Sequence, residues 1–470
     1  MRVGPMAVGT VGEWEPTAGS VVSWEPTAAS LEKAAQAPVS TVPINYMQAQ
    51  HIRGYCEQKA KGLDYSRLMI VSCDAPGHCD IRAMSYVINA HLRRHDTYRS
   101  RFEYADGTIT RRTMPESAGI EFRPVQRGEL TLEQTRELVV STPDPLHWDC
   151  FRFGIVQGED HFTFYASVDH VHVDAMIVGV TLTEFYMMYL ALVGGNPPLA
   201  LPAAGSYDEF CRRQRRFTSA LTPQSPQVAA WTRFAESNGG SMPDFPLPLG
   251  DPSQPSSADI VTVTMMGEQQ TARFESACTA AGVRFIGGVM ACCALAEHEL
   301  TGADTYFGLT PSDTRSTPED ALTQGWFTGL VPITVPIAGS SFGEAARAAQ
   351  VCFDTGLGMA EVPYDRVREL SPQLHPPRPN FPVVNFLDAG TAPLSVLLTA
   401  QLDDLNIGVY SDGRYSYQMS IYVLRVHDET AVAVMYPDNP EARESVAKYL
   451  ATLKSVFERV AESGHWRDVA

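Results

Sequence analysis

Six consecutive residues, Asp169-His170-Val171-His172-Val173-Asp174, place two imidazoles and two carboxylates in one short stretch. An imidazole titrates near neutrality, so a positioned histidine can take the proton from a hydroxyl. A carboxylate four residues on can fold back beneath it, which makes His170 and Asp174, spaced His-x-x-x-Asp, a candidate general base with its support. The same residues fit two other readings. Asp174 can cap a following helix beside two buried histidines. Alternatively His170, His172 and Asp174 can hold a metal, although no further His, Asp or Cys cluster offers a closing ligand. His172 shares the face of His170 only if the strand continues through both; a turn beginning at His170 sends it elsewhere.

The neighbouring elements must aim these groups. FRFGIVQ (151–157) and FTFYASV (162–168) are separated by Gly158, Glu159, Asp160 and His161, a hairpin signature that brings a strand end to His170. The run 175–195 is nearly apolar and about long enough for a bilayer. Glu184 in mid-run, with Thr181 and Thr183 and no flanking basic residues, makes it a buried helix rather than a membrane span.

Elsewhere WEPTA occurs at 14–18 and again at 24–28, which fits two edge strands around a turn. Helices are expected at 45–62, 81–95, 269–282, 286–300 and 440–463, and strands at 66–72, 260–265, 305–310 and 330–336. Composition turns rich in Pro, Gly, Ser and Asp from about 197 to 257, a crossover linker with one helix inside it. The resulting domains are 1–201, a linker at 202–258, and 259–470, each a mixed α/β layer.

The 470 residues are 44% hydrophobic and 19% charged, enough for more than one core. A net charge of −18 without any basic run argues against a nucleic-acid partner and disfavours an anionic membrane surface. Nine cysteines with no CxxC pair and no zinc spacing read as reduced, mostly buried thiols, so no metal is expected. The N-terminus lacks the basic-then-apolar pattern of a secretory signal.

The segment HFTFYASVDHVHVDAMIVGV resembles the active-site motif His-His-x-x-x-Asp-Gly of the condensation-type acyltransferase superfamily. Asp169 stands at the first His and Ala175 at the Gly, while His170 and Asp174 match the catalytic His and the Asp. INAHLRRHDTYRSRF (88–102), SDTRSTP (312–318), GWFTGLVPITV (325–335) and NFLDAG (385–390) resemble further motifs of that superfamily, spread over nearly the whole chain. Within it, NYMQAQHIRGYCEQKAKGLDYSRLM and MYPDNPEARESVAKYLATLKSVF are similar to mycobacterial polyketide-synthase-associated acyltransferases that build acylated trehalose glycolipids, most strongly those of diacyltrehalose and polyacyltrehalose synthesis.

The resemblance implies an α/β fold of two chloramphenicol-acetyltransferase-like subdomains forming a pseudo-dimer with a tunnel at their interface. It implies an O-acyltransferase in which His170 is the general base, acyl-CoA the donor and trehalose or acyl-trehalose the acceptor, with no cofactor and no acyl-enzyme. No G-x-S-x-G elbow lies near the motif, in keeping with direct transfer. Arg315 is the implied ion-pair partner of Asp174, which then has a structural role. Trp326, in the channel-like segment, either touches substrate or packs in the core. Gln418 and Ser420, on the strand-like YSYQMSIYV (415–423), and Asn385 are further substrate-contact candidates, with solvent exposure the competing reading for the first two. A polyketide synthase or its carrier domain is an implied partner. The implied location is cytoplasmic, with a peripheral position at the inner face of the plasma membrane compatible with it. Two rival readings are a catalytically silent scaffold of a lipid-synthesis assembly and a condensation enzyme acting on a carrier-bound alcohol or an amine.

Overall fold

A computed structural model describes residues 2–3, 6–63, 65, 67–252, 254, 256–388, 405–414, 418–426 and 428–466. The strands are β1 (Arg2–Val3), β2 (Met6–Thr10), β3 (Ser20–Pro26), β4 (Leu68–Pro76), β5 (Ser100–Ala105), β6 (Thr108–Thr113), β7 (Phe122–Glu129), β8 (Phe151–Gln157), β9 (His161–Asp169), β10 (Ala258–Met266), β11 (Thr305–Asp313), β12 (Thr328–Pro336), β13 (Phe381–Asp388), β14 (Gly408–Ser411), β15 (Gln418–Val426) and β16 (Glu429–Pro437). The helices are α1 (Ala28–Ala35), α2 (Tyr46–Ala60), α3 (Ile81–Arg94), α4 (Leu132–Val140), α5 (Ile177–Val193), α6 (Tyr207–Ala220), α7 (Pro226–Ser237), α8 (Glu268–Ala280), α9 (Phe285–Thr301), α10 (Phe342–Gly356), α11 (Tyr364–Leu370) and α12 (Pro440–Ser463).

The chain divides into two compact units. The first takes the described residues of Met1–Phe217, Arg315–Phe327 and Ala392–Arg414; the second takes those of Thr218–Thr314, Thr328–Thr391 and Tyr415–Ala470. In the first unit an eight-stranded sheet runs in the order β1-β2-β14-β4-β9-β8-β3-β7. Its pairings are antiparallel except β2 with β14. β9 lies between β4 and β8, and eight of its nine residues are buried, because side chains pack on both faces of a central strand. That strand ends at Asp169, opposite Leu68, so the ladder delivers His170 at the sheet's end.

Local signals fix the helices. The Asn45 side chain accepts the Met47 N–H and forms a capping box with Gln48 at the start of α2. Asp80 caps α3 by accepting from the N–H groups of Arg82 and Ala83. α5 spans 17 residues, many of its side chains buried, Glu184 among them. Among the described residues no single helix is long and apolar enough to cross a membrane.

The second unit holds a four-stranded sheet, β10-β16-β15-β13, whose β13–β15 pairing is parallel, and the hairpin β11–β12. Its core joins Val384, Met419, Ile421 and Val423 of that sheet to apolar side chains of α8, α9, α10 and α12. α12 begins at Asn439, which accepts the Ala442 N–H, continues through Pro440 and stops at Gly464 with φ 71°.

Two expectations change. The first WEPTA copy is not a strand: it follows a 3₁₀ turn, and Trp14 is buried with its indole N–H donated to Ser72 Oγ. The second copy forms the end of β3, between β8 and β7, and its Thr27 caps α1. Identical pentapeptides thus take different conformations because tertiary contacts outweigh local propensity. The Pro-rich stretch contains two helices, α6 and α7, rather than one. Pro226 opens α7 at a position where a missing N–H costs nothing, so this proline of the linker-like stretch starts a helix.

Candidate active site

A turn begins at His170, whose backbone N–H donates to the Arg67 carbonyl at 2.9 Å. The imidazole is half-buried. Its ring lies on the Trp326 indole, centroids 3.9 Å apart and planes 31° apart. The Arg67 guanidinium also stands over that indole, 5.3 Å from its centroid. Burial, then the positive charge of Arg67, then His51 hold the His170 pKa well below the ordinary imidazole value, so the ring is neutral at pH 7. Nδ1 of His170 is enclosed and has no hydrogen-bond partner among the described residues, so no carboxylate holds it as a triad aspartate would.

Asp174 is bound elsewhere. Its Oδ2 accepts from Arg315 at 2.9 Å and from the Phe327 N–H at 2.9 Å; its Oδ1 accepts from Arg315 at 3.1 Å and from the Met176 N–H at 3.0 Å. Arg315 and Asp174 are 4% and 3% exposed, so this is an enclosed, two-pronged ion pair and not a solvated loop contact. Arg315 also donates to the carbonyls of Asp320 and Thr323 and lies over the Phe327 ring at 4.2 Å. The pair therefore fastens the turn after His170 to the segment that carries Trp326. The Met176 N–H bond is a local turn at the foot of α5, so the capping reading is present in part.

His172 points away into the core beside Tyr98, Phe102 and Phe151, and its Nδ1 meets Thr97 Oγ1 at 3.0 Å. Burial lowers its pKa to about 4. His170, His172 and Asp174 consequently do not converge on a metal position. Among the described residues, the group whose ligand-type atoms do lie close together is His91, His95 and Glu184.

Trp326 is 2% exposed and packs with Val42, Tyr207, Phe210, Cys211 and Phe327. The preceding Gly325 is required there, because a Cβ would overlap the Tyr207 ring. Of the other candidates, Asn385 and Ser420 lie on β13 and β15 of the second unit, on the sheet face turned away from its helices; Ser420 is buried and Asn385 half-buried. Gln418 begins β15, and its side chain lies outside the described residues, as do residues 415–417 of the expected strand and 389–390 of NFLDAG.

Two residues near His170 were not singled out from the sequence, His51 and Arg67. His51 donates from Nε2 to Asp169 Oδ1 at 2.8 Å, both side chains fully buried, and Asp169 also accepts the Val171 N–H. Asp169 thus sits where the motif's first His is expected and finds an imidazole from α2 instead. A buried carboxylate needs a partner, but 118 residues separate the two, so only the fold reveals which. Arg67 was missed likewise; Glu184 was noted as an acid inside an apolar helix, but its partners His91, Arg94 and His95 were not foreseen.

Residues 41–465 match the family model of the condensation domain. The chain is 74% identical to acyltransferase PapA3 of Mycobacterium tuberculosis over 471 residues, covering all of both chains. It is 57% identical to the 2'-acyl-2-O-sulfo-trehalose (hydroxy)phthioceranyltransferase PapA1 of the same organism, covering 99% of this chain and 90% of the relative. A solved PapA2 acyl transferase superposes with a TM-score of 0.94 at 52% identity, covering 97% of this chain and all of that one. The α/β architecture, the Asp174–Arg315 geometry and these full-length similarities lead to one conclusion: the chain belongs to the condensation-domain family, among its PapA-type acyltransferases.

Proposed function

We propose that the chain transfers a long-chain acyl group from acyl-CoA to a hydroxyl of trehalose or an acyl-trehalose, with His170 as general base. The observation that carries this reading is the half-buried, neutral His170, whose Nδ1 has no partner among the described residues while Asp174 is fully engaged by Arg315 and two backbone N–H groups. The trehalose-derived substrate in the name of the relative PapA1 supports the acceptor class.

In this mechanism the imidazole removes the sugar hydroxyl proton as the oxygen attacks the thioester carbonyl, a task worth about 10²–10⁴-fold. The resulting tetrahedral oxyanion collapses to an ester, and the proton held by His170 passes to the departing thiolate. No bond to the protein forms, and no cofactor takes part. A polyketide synthase carrier domain presenting the same thioester fits the donor role equally, because the reacting atoms are identical.

His170→Ala is expected to abolish ester formation and thiol release with palmitoyl-CoA and trehalose while leaving the circular dichroism spectrum unchanged. Retained turnover in a purified sample refutes the base assignment. Absence of turnover in the wild type with any of trehalose, a diol or an amine as acceptor favours the silent scaffold.

A further inference from the structure

The proposed mechanism leaves an expensive feature unexplained, the enclosed charge of Glu184 within the apolar helix α5. Its Oε2 accepts from His91 Nδ1 at 2.8 Å and from His95 Nε2 at 3.1 Å, and its Oε1 accepts from Arg94 Nε at 2.6 Å. These contacts keep the carboxyl ionised despite its burial. Three ligand-type atoms so close together suggest a cation site. The Arg94 guanidinium argues against one, because it already neutralises the carboxylate and would repel a metal ion.

The cluster leads instead towards His170. His95 Nδ1 lies 3.3 Å from the Gln324 backbone nitrogen, which can only donate. Nδ1 must therefore be unprotonated, and the His95 proton sits on Nε2, where Glu184 accepts it. The Gln324 side chain donates to Thr181 Oγ1 of α5 at 2.8 Å. Two residues later Trp326 covers His170, and its carbonyl accepts from Tyr207 Oη at 3.3 Å. Resting on the reading of His170 as base, we infer that Glu184, His95, Gln324 and Thr181 form a positioning relay holding the Trp326 indole against His170.

The relay does not touch substrate. Its effect is on the imidazole, which Trp326 shields from water and fixes in direction. Among the described residues, the other charged or titratable groups facing His170 are Arg67 and His51, the latter paired with Asp169. Neither belongs to the relay, but both also touch the Trp326 indole, Arg67 at 5.3 Å and His51 edge-on at 5.9 Å, so loosening Trp326 rehydrates the ring and frees Arg67 from its stack.

Thr181→Val keeps shape and deletes only the bond from Gln324. It is expected to lower kcat about tenfold with KM for either substrate unchanged, the consequence of one buried donor left unpaired. The acid limb of kcat/KM should move to higher pH as His170 rehydrates. In a Trp326→Ala background the same change should add nothing, because the element it positions is gone. Glu184→Gln should reproduce the shifted limb. Unchanged kcat and pH limb in Thr181→Val, or a full additional loss in the Trp326→Ala background, overturns the relay. If His170→Ala itself retains turnover, the base assignment has failed instead; a dead His170→Ala beside an unaffected Thr181→Val defeats the relay alone.

Discussion

At the scale of single residues, the environment of His170 sets how the proposed chemistry responds to pH. A base acts in its neutral form, and burial, Arg67 and His51 all disfavour protonation of this ring. The acid limb of kcat/KM is therefore expected below the ordinary imidazole value of about 6.5. A limb at or above about 6.5 contradicts this account of the imidazole's surroundings. Asp174 and Arg315 act on the same ring through geometry, since their pair ties the turn after His170 to Phe327 and its neighbour Trp326. Arg315→Met leaves a carboxylate enclosed without its cation, which typically costs about 3–5 kcal/mol. Urea unfolding should show that loss, and Arg315→Lys should restore little, because an ammonium cannot make the forked contact. A loss under about 1 kcal/mol assigns the pair no structural role.

At the scale of elements, what matters is which faces are enclosed. β9 is covered on both sides, so its side chains are buried almost throughout, Thr163, Ser167 and Asp169 included, and its end is held firmly enough to aim one imidazole. α9 is similarly enclosed in the second unit, and it too carries an acid, Glu297, which burial pushes up to about 7. An acid whose folded pKa exceeds its unfolded value of about 4.3 destabilises the fold as pH rises through that window. The contribution is absent below pH 4.3, grows up to pH 7 and is constant above it. Glu297→Gln should consequently raise stability by about 3 kcal/mol at pH 8 and by almost nothing at pH 4, read from denaturant midpoints. Equal effects at both pH values exclude this account of Glu297.

At the scale of the whole molecule, neither unit is one continuous stretch of chain. β14, from near residue 410, completes the first unit's sheet by pairing with β2 on one side and β4 on the other. Without it both of those strands present unpaired backbone edges. The segment carrying Arg315 and Trp326 likewise arrives from the second half of the sequence. A fragment of residues 1–217 is thus expected to aggregate or to unfold without cooperativity, whereas the full chain unfolds cooperatively. A cooperative urea transition in the fragment disproves the dependence on β14.

The sequence by itself determined the strand, turn and apolar helix around His170, because alternation, turn residues and apolar runs act over a few neighbours. It also carried the motif pattern that relates this chain to its family, and with it the pairing of Asp174 and Arg315. Only the tertiary structure decided that His51 meets Asp169, that Trp326 lies on His170, and that Glu184 ties His91, His95 and Arg94 together. A buried charge announces in the sequence that it needs a partner, but most of these partners are tens to hundreds of residues away. Local pattern cannot select among the many distant residues able to fill each place; close packing in the folded chain does.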